Sequence, residues 1–349
     1  FMIRELGWAR WRDEYDRELT RCRLWGEVPT LEIDPPIEEG KPDLPTDASP
    51  ALKDIASRVE AGKVKGPGIT PTVVPIYEPG DEAYARWRAT NVRSQKQFGF
   101  MLATVTVPLG DLTSAQMRVI GDLARAYGDK TIRVTPDQNF VFRWVAARDV
   151  RPLYRRLAAA GLSFAEAGTI ADVVSCPGAE SCRLAVTQSR GLGQLLEEHL
   201  RARPDLVAAA DGMHIKISGC PNGCGQHHIA TIGFQGSVRR VGLRPVPQYF
   251  VMVGGGVSDN GATFGRLAAK IPARRIAETV ERLIALYTRD RQPDESAAAF
   301  FARVDLLTVK RTLHDLERFT AEDATADDWV DLAESTAFAP EVMDGECSA

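Results

Sequence analysis

The sequence predicts an α+β protein: a ferredoxin-like half-domain, with an antiparallel sheet backed by helices, followed by a larger α/β lobe. Three observations predict it. From Phe100 to Gly161 the stretches "FMLATVTVPLG", "TSAQMRVIGDLARAYG", "TIRVT", "NFVFRWV" and "ARDVRPLYRRLAAAG" read in the order β-α-β-β-α, the order of a split ferredoxin-like unit. After residue 164, β-branched and aromatic strands alternate with Leu- and Ala-rich helices. Before residue 90, a Pro- and Gly-rich stretch marks a boundary.

Taken in order, residues 1–26 read as a charged amphipathic helix. "FMIRELGW" looks like a helix already under way, so an earlier segment is expected to be missing and these residues to be the last helix of a first lobe. Residues 27–90 read as a linker, long for a loop inside a compact domain, with a short helix around Ala51–Ala61. Residues 91–163 form the half-domain, where Thr113 caps a helix that Gly128 ends, and "PDQ" turns between two strands. Residues 164–315 form the larger lobe, with a helix over 182–200, strands at "MHIKIS", "HIATIGFQG" and "QYFVMVGGG", and a helix opened by Pro272. Residues 316–349 read as an acidic tail.

Composition bounds the function. The 349 residues are 44% hydrophobic and 26% charged, as in ordinary globular proteins, and the net charge of −4 gives no reason to expect nucleic acid. No apolar run approaches the ~20 residues of a membrane span. The charged N-terminus is not a secretory signal, so the cytoplasm is the expected location.

The chemistry is in the cysteines. "VVSCPGAESCRLAV" holds Cys176 and Cys182, with five residues between them, and "ISGCPNGCGQHHIATIGF" holds Cys220 and Cys224, with three between them. Clustered cysteines in a large chain of this kind are not disulfide staples, and Cys22 and Cys347 stand alone as unpaired thiols. The first pair is wide for zinc, and a redox dithiol prefers two intervening residues. An iron–sulfur cluster accepts wider and uneven spacings. Pro177, Gly178, Pro221, Asn222, Gly223 and Gly225 bend the backbone around the thiols, and Cys182 is expected to open a helix. A four-cysteine iron–sulfur site is favoured over zinc and over unligated thiols.

These residues carry a resemblance. C-x5-C followed by C-x3-C inside "SGCPNGCGQ…IGF", together with "VRSQKQFGFMLATVTVPLGDL", "RVTPDQNFVF" and the terminal "GEC", is similar to the sirohaem–[4Fe-4S] nitrite and sulfite reductases. The resemblance implies the C-terminal half of a protein of two pseudo-repeats, with 164–315 as the lobe that binds sirohaem and the [4Fe-4S] cluster. It implies an oxidoreductase that takes sulfite to sulfide or nitrite to ammonia with six electrons. The "CPGAESC" loop leans slightly towards sulfite. Cys176, Cys182, Cys220 and Cys224 would hold the cluster, and Cys224 would bridge it to the haem. Gln138 and Arg133 would approach the sirohaem, with Asn222 as a turn residue and donor beside the cluster. The basic catalytic residues are expected in the absent first half.

Other residues weigh less. His227 and His228, taken as strand neighbours, face opposite ways, so at most one points at the site. Arg183, Arg190 and Lys216 offset cofactor charge, although Arg190 reads better as part of a solvated helix face. Gly254–Gly256 lacks the rest of a dinucleotide loop and reads as a close backbone approach. Many relatives carry an acidic residue where this chain has Thr231. No flavin or nicotinamide motif is present, so the electron donor is expected to be a ferredoxin or a flavoprotein subunit. Arg239, Arg240 and Arg244 would suit an acidic donor, but a solvated hairpin is preferred. Two other functions stay open: a cobalamin-pathway monooxygenase of the same fold family, and a non-catalytic iron–sulfur or zinc module.

Overall fold

The computed structural model describes residues 2–26, 49–62, 80–258 and 261–340, and the chain divides into two units at residues 42 and 43. Much of the expected linker, and Cys347 with the terminal "GEC", lie outside the described residues. In the first unit, helices α1 (Met2–Leu6) and α2 (Trp8–Trp25) meet at Gly7, and Trp8, Trp11 and Tyr15 form a ladder of rings along α2.

The half-domain is a four-stranded antiparallel sheet in the order β1-β2-β4-β3. Helices α3 (Leu52–Ala61) and α4 (Asp81–Asn91) lead into strands β1 (Val92–Ser94) and β2 (Phe100–Val105). Helix α5 (Ser114–Tyr127), strands β3 (Arg133–Val134) and β4 (Phe140–Ala146) and helix α6 (Val150–Ala159) complete it. The expected β-α-β-β-α order holds, with β1 added at the edge. Thr113 and Gln116 form a capping box at α5, satisfying two helix-end donors.

Helices α3 and α4 fall in the stretch read as linker, yet they supply core. Ile55, Val59 and Trp87 are buried against Ile120, Leu153 and Tyr154, and the Trp87 and Tyr154 rings lie 4.9 Å apart. Proline-rich flanks hide the short amphipathic pattern of "LKDIASRVEA", whose Ile and Val four residues apart share one face.

The lobe carries a five-stranded mixed sheet in the order β11-β8-β7-β6-β5. Strands β5 (Val174–Ser175), β6 (Ile215–Ser218) and β7 (Ile232–Val241) run parallel. Strands β8 (Arg244–Val253) and β11 (Arg266–Pro272) continue it antiparallel. Helices α7 (Ser189–Arg201) and α8 (Pro204–Ala209) cross from β5 to β6, and β9 (Gly256–Ser258) with β10 (Gly261–Thr263) form a small separate ladder. Helices α9 (Ile276–Asp290), α10 (Ala297–Arg303) and α11 (Leu306–Glu317) follow. Ile276, Val280, Leu283, Ile284 and Tyr287 give α9 one buried face, each Leu or Ile contributing about 2 kcal/mol by removal from water. Among the described residues, no helix is long and apolar enough to cross a membrane.

The expected tail is folded through Pro340. A capping box at Thr325 and Asp328 starts a turn, Val330 bridges Ala337, and the Arg244 guanidinium sits 3.8 Å over the Trp329 ring. Acidic composition masked this, because Asp328 and Asp331 serve as backbone acceptors rather than solvated charges.

Candidate metal centre

Both cysteine pairs begin at the carboxyl ends of neighbouring parallel strands, where α/β sheets place their sites. Ser175 ends β5 and Cys176 follows, its N–H donating to the Ile217 carbonyl at 3.1 Å. Ser218 ends β6, and Cys220 stands two residues on. The two loops are laced together: the Val186 and Thr187 N–H groups both donate to the Gly219 carbonyl, at 2.8 and 3.2 Å.

Cys176 and Cys220 are buried, Cys182 is half-buried and Cys224 is exposed. The Gly219 N–H donates to Cys176 Sγ at 3.2 Å, and the Asn222 N–H bonds the Cys220 sulfur. Burial pushes the Cys220 thiol up; the Asn222 N–H opposes this, while charge on Cys176, Cys224 and Cys182 pushes it further up. All four thiols therefore share one electrostatic neighbourhood.

Among the described residues, no three His, Cys, Asp or Glu side chains converge where a single ion could sit. A structural zinc site needs that convergence. A four-iron cluster takes one thiolate per corner, so its ligands surround a volume instead of meeting at a point. Four thiols, one for each corner, are a donor set that such a cluster accepts.

The loops have no spare room. A Cβ on Gly225 would collide with the Ile217 carbonyl. A Gly225→Ala substitution is expected to cost about 3 kcal/mol or more, since the obstacle is backbone that cannot rotate away. Chemical denaturation should show it; a variant as stable as the parent would mean that the loop relaxes freely.

The structure places the other expected site residues as follows. Gln138, left-handed at φ 64°, donates its amide to the Ser175 carbonyl at 2.9 Å and accepts from the Ser175 N–H at 3.2 Å. It braces the strand that ends at Cys176. Arg133 is exposed on β3, and the Asn222 side chain is exposed too. Lys216 is nearly buried and joins Asp137 Oδ1 (2.7 Å) to Gln226 Oε1 (3.1 Å), tying the "PDQ" turn to the second cysteine loop. Arg190 is not on a solvated face: it bridges Asp111 and Glu180 across the junction with the half-domain.

The helix expected from 182 begins at Ser189. Residues 179–187 spend their backbone groups on loop contacts, such as Ala179 N–H to Thr187 O at 3.0 Å, so Cys182 is not at a helix end. His227 and His228 lie in a short 3-10 turn, with ring centres 3.9 Å apart. His227 Nδ1 pairs with Ser218 Oγ at 2.8 Å, and burial pushes its pKa down to about 4, so it is a neutral structural residue. Arg239 bonds Gln248, the Glu317 carbonyl and the Lys270 carbonyl, and Arg244 covers Trp329. Two of the three arginines considered for docking are thus structural.

Spacing does not reveal Ser189, Ser218 or Asp331. Ser189 Oγ lies 3.3 Å from Cys176 Sγ, Ser218 Oγ accepts the Gly225 N–H at 3.0 Å, and Asp331 reaches the loop from 143 residues away.

Residues 93–160 match the nitrite/sulfite reductase ferredoxin-like half domain, and residues 166–319 match the nitrite and sulphite reductase 4Fe-4S domain. The chain is 26% identical over 220 residues to the chloroplastic ferredoxin–nitrite reductase of Oryza sativa subsp. japonica, covering 62% of this chain and 36% of that protein. It is 27% identical over 201 residues to sulfite reductase [ferredoxin] 1 of Mycolicibacterium paratuberculosis, covering 56% and 36%. The chain spans about a third of the length of these curated relatives. The structure of the Mycobacterium tuberculosis NirA protein superposes with a TM-score of 0.56 at 24% identity, covering 70% of this chain and 44% of that one, a likeness of fold.

Proposed function

The chain belongs to the nitrite and sulfite reductase family, and on that premise we propose that it forms the cluster-binding part of a reductase acting on sulfite or nitrite. The observation that carries the reading is that the Cys176/Cys182 and Cys220/Cys224 loops leave the ends of two paired parallel strands and are laced together at the Gly219 carbonyl. These four side chains would hold a [4Fe-4S] cluster, and Cys224, the exposed thiol, is the one open to a sirohaem. When bound, the two groups supply one-electron relay and a six-electron reduction of the anion.

The chain's own residues prepare the site. Four neighbouring thiolates repel, so metal charge is what would let them ionise together. The Gly219 and Asn222 N–H groups favour the ionised sulfurs of Cys176 and Cys220. Gln138 and Lys216 fix the half-domain against the two loops, which sets where the thiols stand. The ferredoxin-dependent relatives support a ferredoxin as donor, and they include enzymes for both nitrite and sulfite.

The test, on the full-length protein co-expressed with sirohaem synthesis, is visible absorption with iron and acid-labile sulfide counted per chain, followed by turnover of each anion with a reduced viologen. About four labile sulfides per chain, a red-region chlorin band and turnover of one anion are expected. Zinc without labile sulfide would end the reductase reading.

A further inference from the structure

The first cysteine loop is held from behind by a distant part of the chain. Asp331 Oδ2 accepts the Gln188 N–H at 2.8 Å, and its Oδ1 accepts the Leu332 N–H at 2.8 Å. Glu334 Oε1 takes the Gln188 Nε2 amide at 2.5 Å. Gln188 is the N-cap of α7, and its own side chain makes no capping bond. The next residue, Ser189, donates its hydroxyl to the Cys176 carbonyl at 2.9 Å and lies 3.3 Å from the Cys176 sulfur. Contacts therefore run unbroken from Asp331 through Gln188 and Ser189 to Cys176.

The strap that carries Asp331 is anchored independently of the loop. Arg274 donates to the Asp327 and Val330 carbonyls at 3.2 and 3.4 Å, and Arg244 covers Trp329. The Leu332 carbonyl closes against Gly191, where a Cβ would stand 2.5 Å away. Beyond this contact a cleft of about 770 Å³ opens between the strap and residues Ala179–Val186, so the grip is concentrated at the start of α7.

Asp331 is 2% exposed, and burial pushes its carboxyl up to about 6, against the Gln188 and Leu332 N–H groups that hold it down. Ionising this carboxyl at neutral pH carries a desolvation cost that an amide in its place would not. We propose that Asp331 is a positioning residue for the metal centre: from outside the loop it fixes Gln188 and Ser189, and through them the place at which Cys176 presents its sulfur. This rests on the cluster reading of the four cysteines.

The test is Asp331→Asn in the intact protein. An amide keeps the size but offers one acceptor where two N–H groups need one each, so one donor is left facing an NH2 group. Iron release to a ferrous chelator is followed with labile sulfide and thermal unfolding. Release about fivefold faster than in the parent, with no fall in unfolding temperature at pH 7.5, is the expected result. Release at the parental rate overturns the proposal. So does faster release that merely tracks a lower unfolding temperature, because that is a structural role alone. If the Asn variant does not accumulate, Glu334→Ala loosens the same grip from the exposed side and should speed release about twofold; an unchanged rate there overturns it too. A parent protein with no labile sulfide is a separate outcome, which removes the cluster reading and this proposal with it.

Discussion

Cys220→Ser is expected to leave the protein with roughly a tenth or less of the parental iron and labile sulfide. Cys220 is 7% exposed, and charge on the other three thiols of the proposed ligand set adds to burial in pushing it up. A serine hydroxyl ionises far less readily than a thiol, and at this depth it stays neutral. The remaining three thiols then lack a corner. Because metal binding also organises both loops, soluble yield is expected to fall together with the cluster. Cys22→Ser, in the N-terminal helix, serves as the comparison and should keep parental iron and sulfide. Parental iron and sulfide in the Cys220 variant would remove it from the ligand set.

Stability is expected to fall as pH rises from about 5 to 8, on the order of 4 kcal/mol, and Glu197→Gln is expected to remove most of that slope. Glu197 lies under the half-domain, 3% exposed, beside Glu166 and Asp172. Burial pushes its carboxyl up to about 8; Arg201 and the Leu109 N–H oppose this, and the two acids add to it. The folded state thus binds this proton more tightly than the unfolded chain, whose carboxyl titrates near 4.5. Stability from this group is fully present below that lower value and is lost as pH rises through 8. Glutamine keeps the acceptor for Leu109 and has no charge to bury, so the variant should be the more stable protein at pH 8.5. Asp172, pushed up to about 6 mainly by burial, adds a smaller change of the same sign. Urea denaturation at pH 5.5, 7 and 8.5 measures the slope; an identical slope in both proteins would mean that Glu197 is ionised throughout.

The half-domain was legible in the sequence because its signals are local. The Thr113 cap, the Gly128 stop and the "PDQ" turn each act within a few residues. The four cysteines were legible for the same reason. What was hidden depends on partners far along the chain. Gln138 was expected to approach the sirohaem, and nothing in its spacing shows that its amide pairs with Ser175, 37 residues away. Arg190 reads as a solvated helix residue until Asp111 closes on it. The start of α7 was misplaced because the backbone groups of residues 179–187 are taken by turns within their own loop and, at Val186 and Thr187, by the Gly219 carbonyl of the neighbouring one. Tertiary contacts outweighed propensity there, as they commonly do where loops are packed against backbone.

The parallel pairing of β5 with β6 has a consequence for the order in which the protein is made. Cys176 and Cys220 become neighbours when Val174 lies beside Lys216 and Ser175 beside Ile217. That register needs the crossover through α7 and α8 to be in place, a long loop whose closure is slow compared with local folding. Neither cysteine loop by itself offers more than two sulfurs. If the four cysteines are the ligands, the growing chain presents no more than two of the four sulfurs together until the crossover has docked.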